Sequence, residues 1–142
     1  MSISKLLRES TAKYPEKTAV FFGDKTISYS SLDEQVGKVA RSLLDLGVKP
    51  QDKIAILLSN CPEFIIGYFA VLRCGAICVT INPLFKGEEA KYIFNDSQVS
   101  MIITSQSFLP MIESIWKYVP TLQKAIVVGG ETNGDTIAFE DI

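Results

Sequence analysis

The sequence has 142 residues, 47% hydrophobic and 21% charged, and a formal net charge of −2. These values are typical of a folded globular domain, or of part of a larger one, and they exclude a disordered or fibrous chain. Because lysine and arginine are scattered among the acidic residues, no basic surface is predicted, and we expect no nucleic-acid partner.

The first elements in the chain are a predicted helix and a predicted hairpin. Residues 1–14 carry charges among their leucines, so we expect an amphipathic helix rather than a signal peptide. The short segments Thr18–Phe22 and Thr26–Tyr29 flank a turn that begins at Gly23. This pattern predicts a β-hairpin, because glycine tolerates the positive φ of a tight turn.

A long amphipathic helix is predicted after the hairpin. Its apolar residues recur at steps of three and four, which indicates one buried stripe. We expect it to begin at Ser30 or Ser31, with Asp33 and Glu34 available for capping-box contacts. Gly47 is predicted to end it, since glycine adopts the left-handed conformation at low energetic cost.

The next segment predicts a strand–helix–strand unit. The continuous apolar run Ile54–Leu58 is typical of a strand covered on both faces. Pro62 is suited to the first position of a helix, and Gly75 is predicted to end that helix. Residues Ala76–Ile81 form a second apolar run, which we interpret as the next strand.

The alternation of helix and strand then continues. The predicted elements are helix Lys86–Asp96, strand Val99–Thr104, helix Ser107–Tyr118 and strand Lys124–Val128. Such alternation predicts an α/β fold with a doubly wound, mostly parallel sheet, helices on both faces, and the small hairpin at an edge.

The last predicted strand is followed by a glycine-rich polar segment, Gly129–Asp135. Its backbone amides are one candidate for a phosphate cradle, but the segment contains no lysine, and a surface turn is the favoured interpretation. Residues Thr136–Ile142 begin a further element. We therefore expect residues 1–142 to be part of a longer protein.

Residues that usually carry catalysis are scarce. The sequence has no histidine, which excludes histidine-based triads and acid–base catalysis by that side chain. Cys61, Cys74 and Cys78 lie in apolar segments and are predicted to be buried, reduced thiols rather than a metal site. No catalytic, cofactor-binding or metal-binding residue is predicted. The longest uncharged apolar stretch, Phe64–Leu72, is too short to span a membrane.

Seven short motifs resemble the N-terminal part of AMP-forming acyl-CoA synthetases, such as long-chain fatty-acid CoA ligases, within the adenylate-forming enzyme superfamily. The motifs are, in chain order, Pro15–Val20, Ile27–Leu32, Leu46–Ala55, Asn60–Phe64, Leu72–Ala76, Asn82–Phe85 and Tyr92–Ser97. The resemblance as a whole covers residues 3 to 128. Asn82-Pro83 resembles the fatty-acid and aryl CoA ligases more than the adenylation domains of peptide synthetases.

The resemblance implies a parent enzyme that joins a fatty acid to AMP and then to coenzyme A, using Mg-ATP. The lysine-ending ATP loop, the other ATP-binding segments and the catalytic C-terminal domain of this family have no counterpart in residues 1–142. In some relatives the loops matching Asn82–Lys86 and Ser105–Pro110 approach coenzyme A, but neither loop has an arginine here.

We therefore predict that residues 1–142 are an architectural N-terminal subdomain fragment, inactive alone, whose partner is the remainder of a cytoplasmic ligase. Peripheral membrane association of that parent is left open, and self-association of the fragment through an exposed apolar face is predicted. Two alternatives remain. One is a standalone, non-catalytic interaction domain of the same fold, and the other is a small nucleotide-binding protein.

Overall fold

The computed structural model describes residues 2–142 and contains five α-helices and seven strands. In chain order the elements are α1 (Ile3–Lys13), β1 (Thr18–Phe22), β2 (Lys25–Ser28), α2 (Tyr29–Asp45), β3 (Lys53–Leu57), α3 (Pro62–Arg73), β4 (Ile77–Thr80), α4 (Gly87–Ser97), β5 (Met101–Ser105), α5 (Leu109–Trp116), β6 (Lys124–Val128), β7 (Thr136–Ala138) and a 3-10 turn (Phe139–Asp141).

Strands β3 to β7 form one five-stranded sheet in the order β4-β3-β5-β6-β7, and every neighbouring pair is parallel. Helices α3, α4 and α5 make the crossover connections between successive strands from β3 to β6, and residues 129–135 connect β6 to β7 without a helix. The predicted α/β fold is confirmed. The β1–β2 hairpin is antiparallel and forms a sheet of its own, so it adds no strand to an edge of the larger sheet.

The position of β3 inside the sheet explains why its sequence is continuously apolar. Ile54 and Ile56 pack into a cluster with α1, α2 and α3, whereas Ala55 and Leu57 pack on the opposite side with α4 and α5. All four side chains are fully buried. The sheet is therefore covered by helices on both faces, as a parallel sheet requires.

Helix α2 begins earlier than the sequence analysis predicted. Ser28, in an extended conformation, caps the helix, and its hydroxyl accepts a hydrogen bond of 3.1 Å from the amide of Ser31. Asp33, predicted as a capping-box residue, instead contacts Arg73 of α3. A serine at position 28 can cap because it is the last extended residue before the helix.

Two predicted helix stops are confirmed by backbone geometry. Gly47, with φ of 95°, follows α2, and Gly75, with φ of 75°, follows α3. At such positive φ the backbone of a residue with a side chain is strained, whereas that of glycine is not. Pro62 is the first residue of α3, again as predicted.

Residues 136–142 form a short edge strand followed by a 3-10 turn. The sequence analysis had predicted only that a further element begins there. β7 pairs with β6 in parallel, with Ile137 beside Ile126. Phe139 and Ile142 are half-buried against the α1–α3 side of the core. None of the helices within residues 2–142 is long and apolar enough to cross a membrane.

Candidate functional site

The carboxyl end of the sheet is the place where this topology favours ligand binding. β3 lies between β4 and β5, and the chain leaves β3 toward α3 on one face and β5 toward α5 on the other. In open parallel sheets such a reversal of strand order opens a crevice at the strand ends. The loops on either side of it are residues 58–61 and 106–108.

Polar side chains around this crevice bond mainly to one another and to the backbone. The hydroxyl of Thr104, fully buried, donates a hydrogen bond of 2.8 Å to the carbonyl of Leu57 in the neighbouring strand. The hydroxyls of Ser105 and Ser107 lie 2.9 Å apart. The Thr104 bond joins the ends of β3 and β5 and gives the buried hydroxyl a partner, without which it would be destabilising. The serine pair lies within the loop after β5.

The loop after β4 has a similarly self-contained geometry. The side-chain carbonyl of Asn82 accepts a hydrogen bond of 2.9 Å from the amide of Leu84, which makes an Asx turn. The amide of Phe85 donates a 3.0 Å bond to the Asn82 backbone carbonyl. The Asn82-Pro83 motif therefore shapes the entry into α4.

The glycines after β6 have structural roles. Gly129, with φ of 73°, donates its amide to the Glu140 carboxylate at 3.0 Å. A Cβ at Gly130 would lie 2.6 Å from a methyl carbon of Val127, so this position has no room for a side chain. The Gly129 amide binds a carboxylate of the same chain, as expected of a turn rather than a phosphate cradle.

An open cleft of about 430 Å³ lies beside this turn. It is lined by residues of α5, of β7 and of the connections that precede them, including Gln106, Glu113, Gly129, Glu131, Asn133 and Thr136. Its two carboxylates make it unsuited to the phosphates of ATP or coenzyme A, because like charges repel at short range. Lys86 is the single basic residue in the Asn82–Lys86 and Ser105–Pro110 loops.

The three cysteines differ in their surroundings. Cys74 is buried, while Cys61 and Cys78 are half-buried, and all three are free thiols. Burial raises the pKa of each, and for Cys78 to about 12. A thiol with so high a pKa is a poor nucleophile and a poor metal ligand. Within residues 2–142 no three metal-binding side chains cluster.

The acidic cleft beside the Gly129 turn is thus unsuited to the phosphates of Mg-ATP. The sequence analysis predicted no site residue. One lysine does lie at a helix start, Lys86 at the N-cap of α4, but Glu88 and Glu89 follow it in the first turn and disfavour an anion there. The loops at the carboxyl ends of the strands are preorganised by the hydrogen bonds described above.

One charged contact that the sequence analysis missed lies far from this edge. An Arg73 guanidinium nitrogen lies 2.6 Å from a carboxylate oxygen of Asp33, and the arginine side chain is only 14% exposed. The other terminal nitrogen donates a 3.4 Å bond to the Asp33 carbonyl. The pair joins α2 to α3 across 40 residues of sequence, which explains why local patterns did not reveal it.

Sequence comparison identifies the family. A family model described as AMP-binding enzyme matches residues 7–141. The chain belongs to this family. The resemblance to AMP-forming acyl-CoA synthetases that the sequence motifs indicated is therefore confirmed.

Curated relatives of the AMP-binding enzyme family are considerably longer than this chain. The crotonobetaine/carnitine–CoA ligases of Salmonella paratyphi B and Salmonella typhimurium are each 40% identical to it over 107 residues. The alignment covers 72% of this chain and 21% of each relative. The chain thus spans about a fifth of the length of the curated relatives it matches.

Solved structures share the fold of this chain. An anthranilate CoA ligase in complex with anthranoyl-AMP matches with a TM-score of 0.93 at 29% identity, covering 99% of this chain and 27% of that chain. A long-chain-fatty-acid-CoA ligase from Archaeoglobus fulgidus matches with a TM-score of 0.85 at 22% identity, covering 94% and 28%. The second likeness shows the fold alone.

Proposed function

We propose that residues 1–142 are the N-terminal subdomain of an ATP-dependent, AMP-forming carboxylate–CoA ligase, and that this segment is architectural and inactive alone. The main support for this proposal is the family match over residues 7–141, in a chain that covers 21% of the length of its curated relatives. A domain of this kind supplies packing surfaces and loop geometry. The chemistry belongs to the remainder of the parent chain, which is also its principal partner.

The proposed parent reaction has two steps. A carboxylate attacks the α-phosphate of Mg-ATP, which gives an acyl-adenylate and pyrophosphate, and the coenzyme A thiol then displaces AMP to give acyl-CoA. Residues described here would bind none of the phosphates, because the loops at the carboxyl edge are mostly uncharged or acidic. Their proposed contribution is to hold these loops rigidly, through bonds such as Thr104 to Leu57, against the catalytic part.

The proposed acid substrate is a fatty acid, because the Asn82-Pro83 motif resembles that of fatty-acid CoA ligases. A second candidate is crotonobetaine or carnitine, which the 40% identity to the Salmonella ligases favours. The two candidates differ in charge, because the betaines carry a fixed ammonium group. An enzyme selective for them needs a carboxylate or aromatic cage around that group. We propose a cytoplasmic parent, and peripheral membrane contact is the alternative for one that uses long acyl chains.

The proposal is tested by pyrophosphate release with ATP, Mg²⁺ and coenzyme A. Two proteins are compared: the 142-residue chain and the product of the complete reading frame that contains it. Each receives palmitate, octanoate, crotonobetaine or carnitine in turn. We expect no turnover by the 142-residue chain and acid-dependent turnover by the longer product, and the preferred acid decides between the two candidates.

Two outcomes would contradict the proposal. Turnover by the 142-residue chain alone would show that it is not merely architectural. A stop codon directly after Ile142 in the gene would instead favour a standalone interaction domain. In that case, calorimetry with ATP, AMP and coenzyme A would test the remaining alternative of a small nucleotide-binding protein.

A further inference from the structure

The two edge strands of the five-stranded sheet differ in whether their outward-facing backbone groups have hydrogen-bond partners. At one edge, the outward-facing amides of β7 are bonded within the chain. The amide of Ala138 donates to the Thr132 hydroxyl at 3.0 Å, and Thr136 exchanges backbone bonds with Asn133 at 3.1 and 2.9 Å. A turn of the protein itself therefore covers this edge, which is a common way to prevent unwanted strand pairing.

The opposite edge, β4, is open. The amides of Ile77 and Ile81 point inward, since they donate to the carbonyls of Asp52 and Ile56 at 2.7 and 2.9 Å. Because donors alternate along a strand, the amides and carbonyls of Cys78 and Thr80 point away from the sheet. Within residues 2–142 no other segment pairs with them.

Apart from its short length, β4 lacks the features that usually protect an edge strand. Its four residues are Ile77, Cys78, Val79 and Thr80, with no charge, no proline and no bulge. Ile77 is 41% exposed although it is fully apolar. Short edge strands usually carry a lysine, a proline or an inward-pointing charge, and an uncharged open edge is a site for strand addition.

We propose that the β4 edge pairs with β4 of a second copy of this chain, antiparallel, to form one continuous sheet across a two-fold axis. A strand without charge meets no like-charge repulsion from its own copy, and a two-fold contact uses the same surface on both partners. This pairing is independent of the proposed enzymatic activity.

The positions of the outward groups select one register. Four backbone hydrogen bonds form when Cys78 of each copy lies opposite Thr80 of the other, because both residues carry outward amides and carbonyls. Other two-fold registers place Cys78 opposite Cys78, or Thr80 opposite Thr80, and engage fewer outward groups of β4. The selected register puts Val79 on the axis as a non-hydrogen-bonded pair, with Cα atoms about 4.5 Å apart.

Sedimentation equilibrium on the 142-residue chain tests the pairing, using T80K and a matched control, T26K. Both threonines are exposed and both variants add one positive charge, but Thr26 lies in the hairpin. A contact of this size is small, so the chain is measured up to about 0.1 mM, where micromolar complexes are populated. We expect dimers for the wild-type chain and T26K, and a loss of affinity of tenfold or more for T80K.

Oxidative cross-linking tests the register in a background where Cys61 and Cys78 are changed to serine. V79C is expected to form a disulfide-linked dimer, because a Cα separation of about 4.5 Å suits a disulfide. The same background carrying T26C is expected to form no disulfide-linked dimer, because position 26 lies outside the paired strands. A monomeric wild-type chain at every concentration, open-ended polymers, or a dimer that T80K leaves intact would each overturn the proposal.

Discussion

The five-stranded sheet and the N-terminal hairpin are built from similar residues, yet some of their apolar side chains lie in opposite environments. Ile56 of β3 is fully buried between the sheet and its helices, whereas Phe21 of β1 is 76% exposed. The difference lies in coverage. The larger sheet has helices on both faces, while the hairpin is a two-stranded sheet without a strand neighbour. Hydrophobic composition alone therefore does not predict burial.

The largest expected difference between the two regions is in thiol reactivity. Burial raises the pKa of Cys78 in the sheet to about 12, from an ordinary value of 9.0. At pH 8 the reactive thiolate fraction falls by about a thousandfold, since each unit of pKa changes it about tenfold. A cysteine placed in the hairpin by T26C is expected to react with iodoacetamide like a free thiol.

The measurement is peptide-resolved alkylation of a dilute T26C sample, followed by mass spectrometry. Urea unfolding provides the control, because both thiols should then react at similar rates. Comparable folded-state rates at positions 26 and 78 would contradict the difference in burial.

The second contrast concerns stability. Ile56→Ala is expected to lower the free energy of unfolding by about 2–5 kcal/mol, because it leaves a cavity in a close-packed core. Phe21→Ala is expected to change it by about 0.5 kcal/mol or less, since an exposed side chain loses little on truncation. Urea denaturation of both variants checks this, and similar losses would show that the hairpin is packed in solution.

The third contrast concerns the contact between α2 and α3, for which the hairpin has no equivalent. Asp33→Ala leaves the Arg73 guanidinium, whose side chain is 14% exposed, without its carboxylate. We expect a loss of about 1–3 kcal/mol, as for other buried polar groups that lose a partner. Glu34→Ala, at an exposed neighbouring position, is the matched control and should change stability by about 0.5 kcal/mol or less.

The smallest expected effects come from two glycines, and they have opposite signs. Gly23→Ala in the hairpin turn, where φ is 57°, should destabilise the chain by about 1 kcal/mol. Gly37→Ala inside α2 should stabilise it by about 0.5–1 kcal/mol, because alanine is the better helix former and its Cβ would lie 3.7 Å from Arg73. Thermal unfolding monitored by circular dichroism distinguishes the two, and equal signs would contradict the assigned conformations.

Much of the fold could be predicted because local signals agreed with one another. The continuous apolar run of β3 predicted coverage on both faces, and Pro62 and Gly75 marked the two ends of α3. The helices and strands alternate, which restricted the sheet to a mostly parallel one. These signals act through backbone geometry and periodicity, and both are properties of short segments.

Other features of the fold and the candidate site could not be predicted. No sequence pattern around these residues indicates that Asp33 contacts Arg73, or that the amide of Gly129 binds Glu140. Gln51 and Gln98 have φ of 75° and 55°, values that sequence patterns assign to glycine or asparagine. Such details arise where elements distant in sequence meet, and the backbone then adapts to packing.

By itself, the sequence determined the type and approximate bounds of most elements, the parallel α/β class and membership of the AMP-binding enzyme family, because each rests on short motifs and periodicity. Only the tertiary structure decided the strand order, the separation of the hairpin from the main sheet, and which edge of the sheet is closed. The strand order places β3 between β4 and β5, and so leaves β4 at an edge. These features depend on contacts between residues far apart in the chain, whose free energy is realised only when the whole core forms.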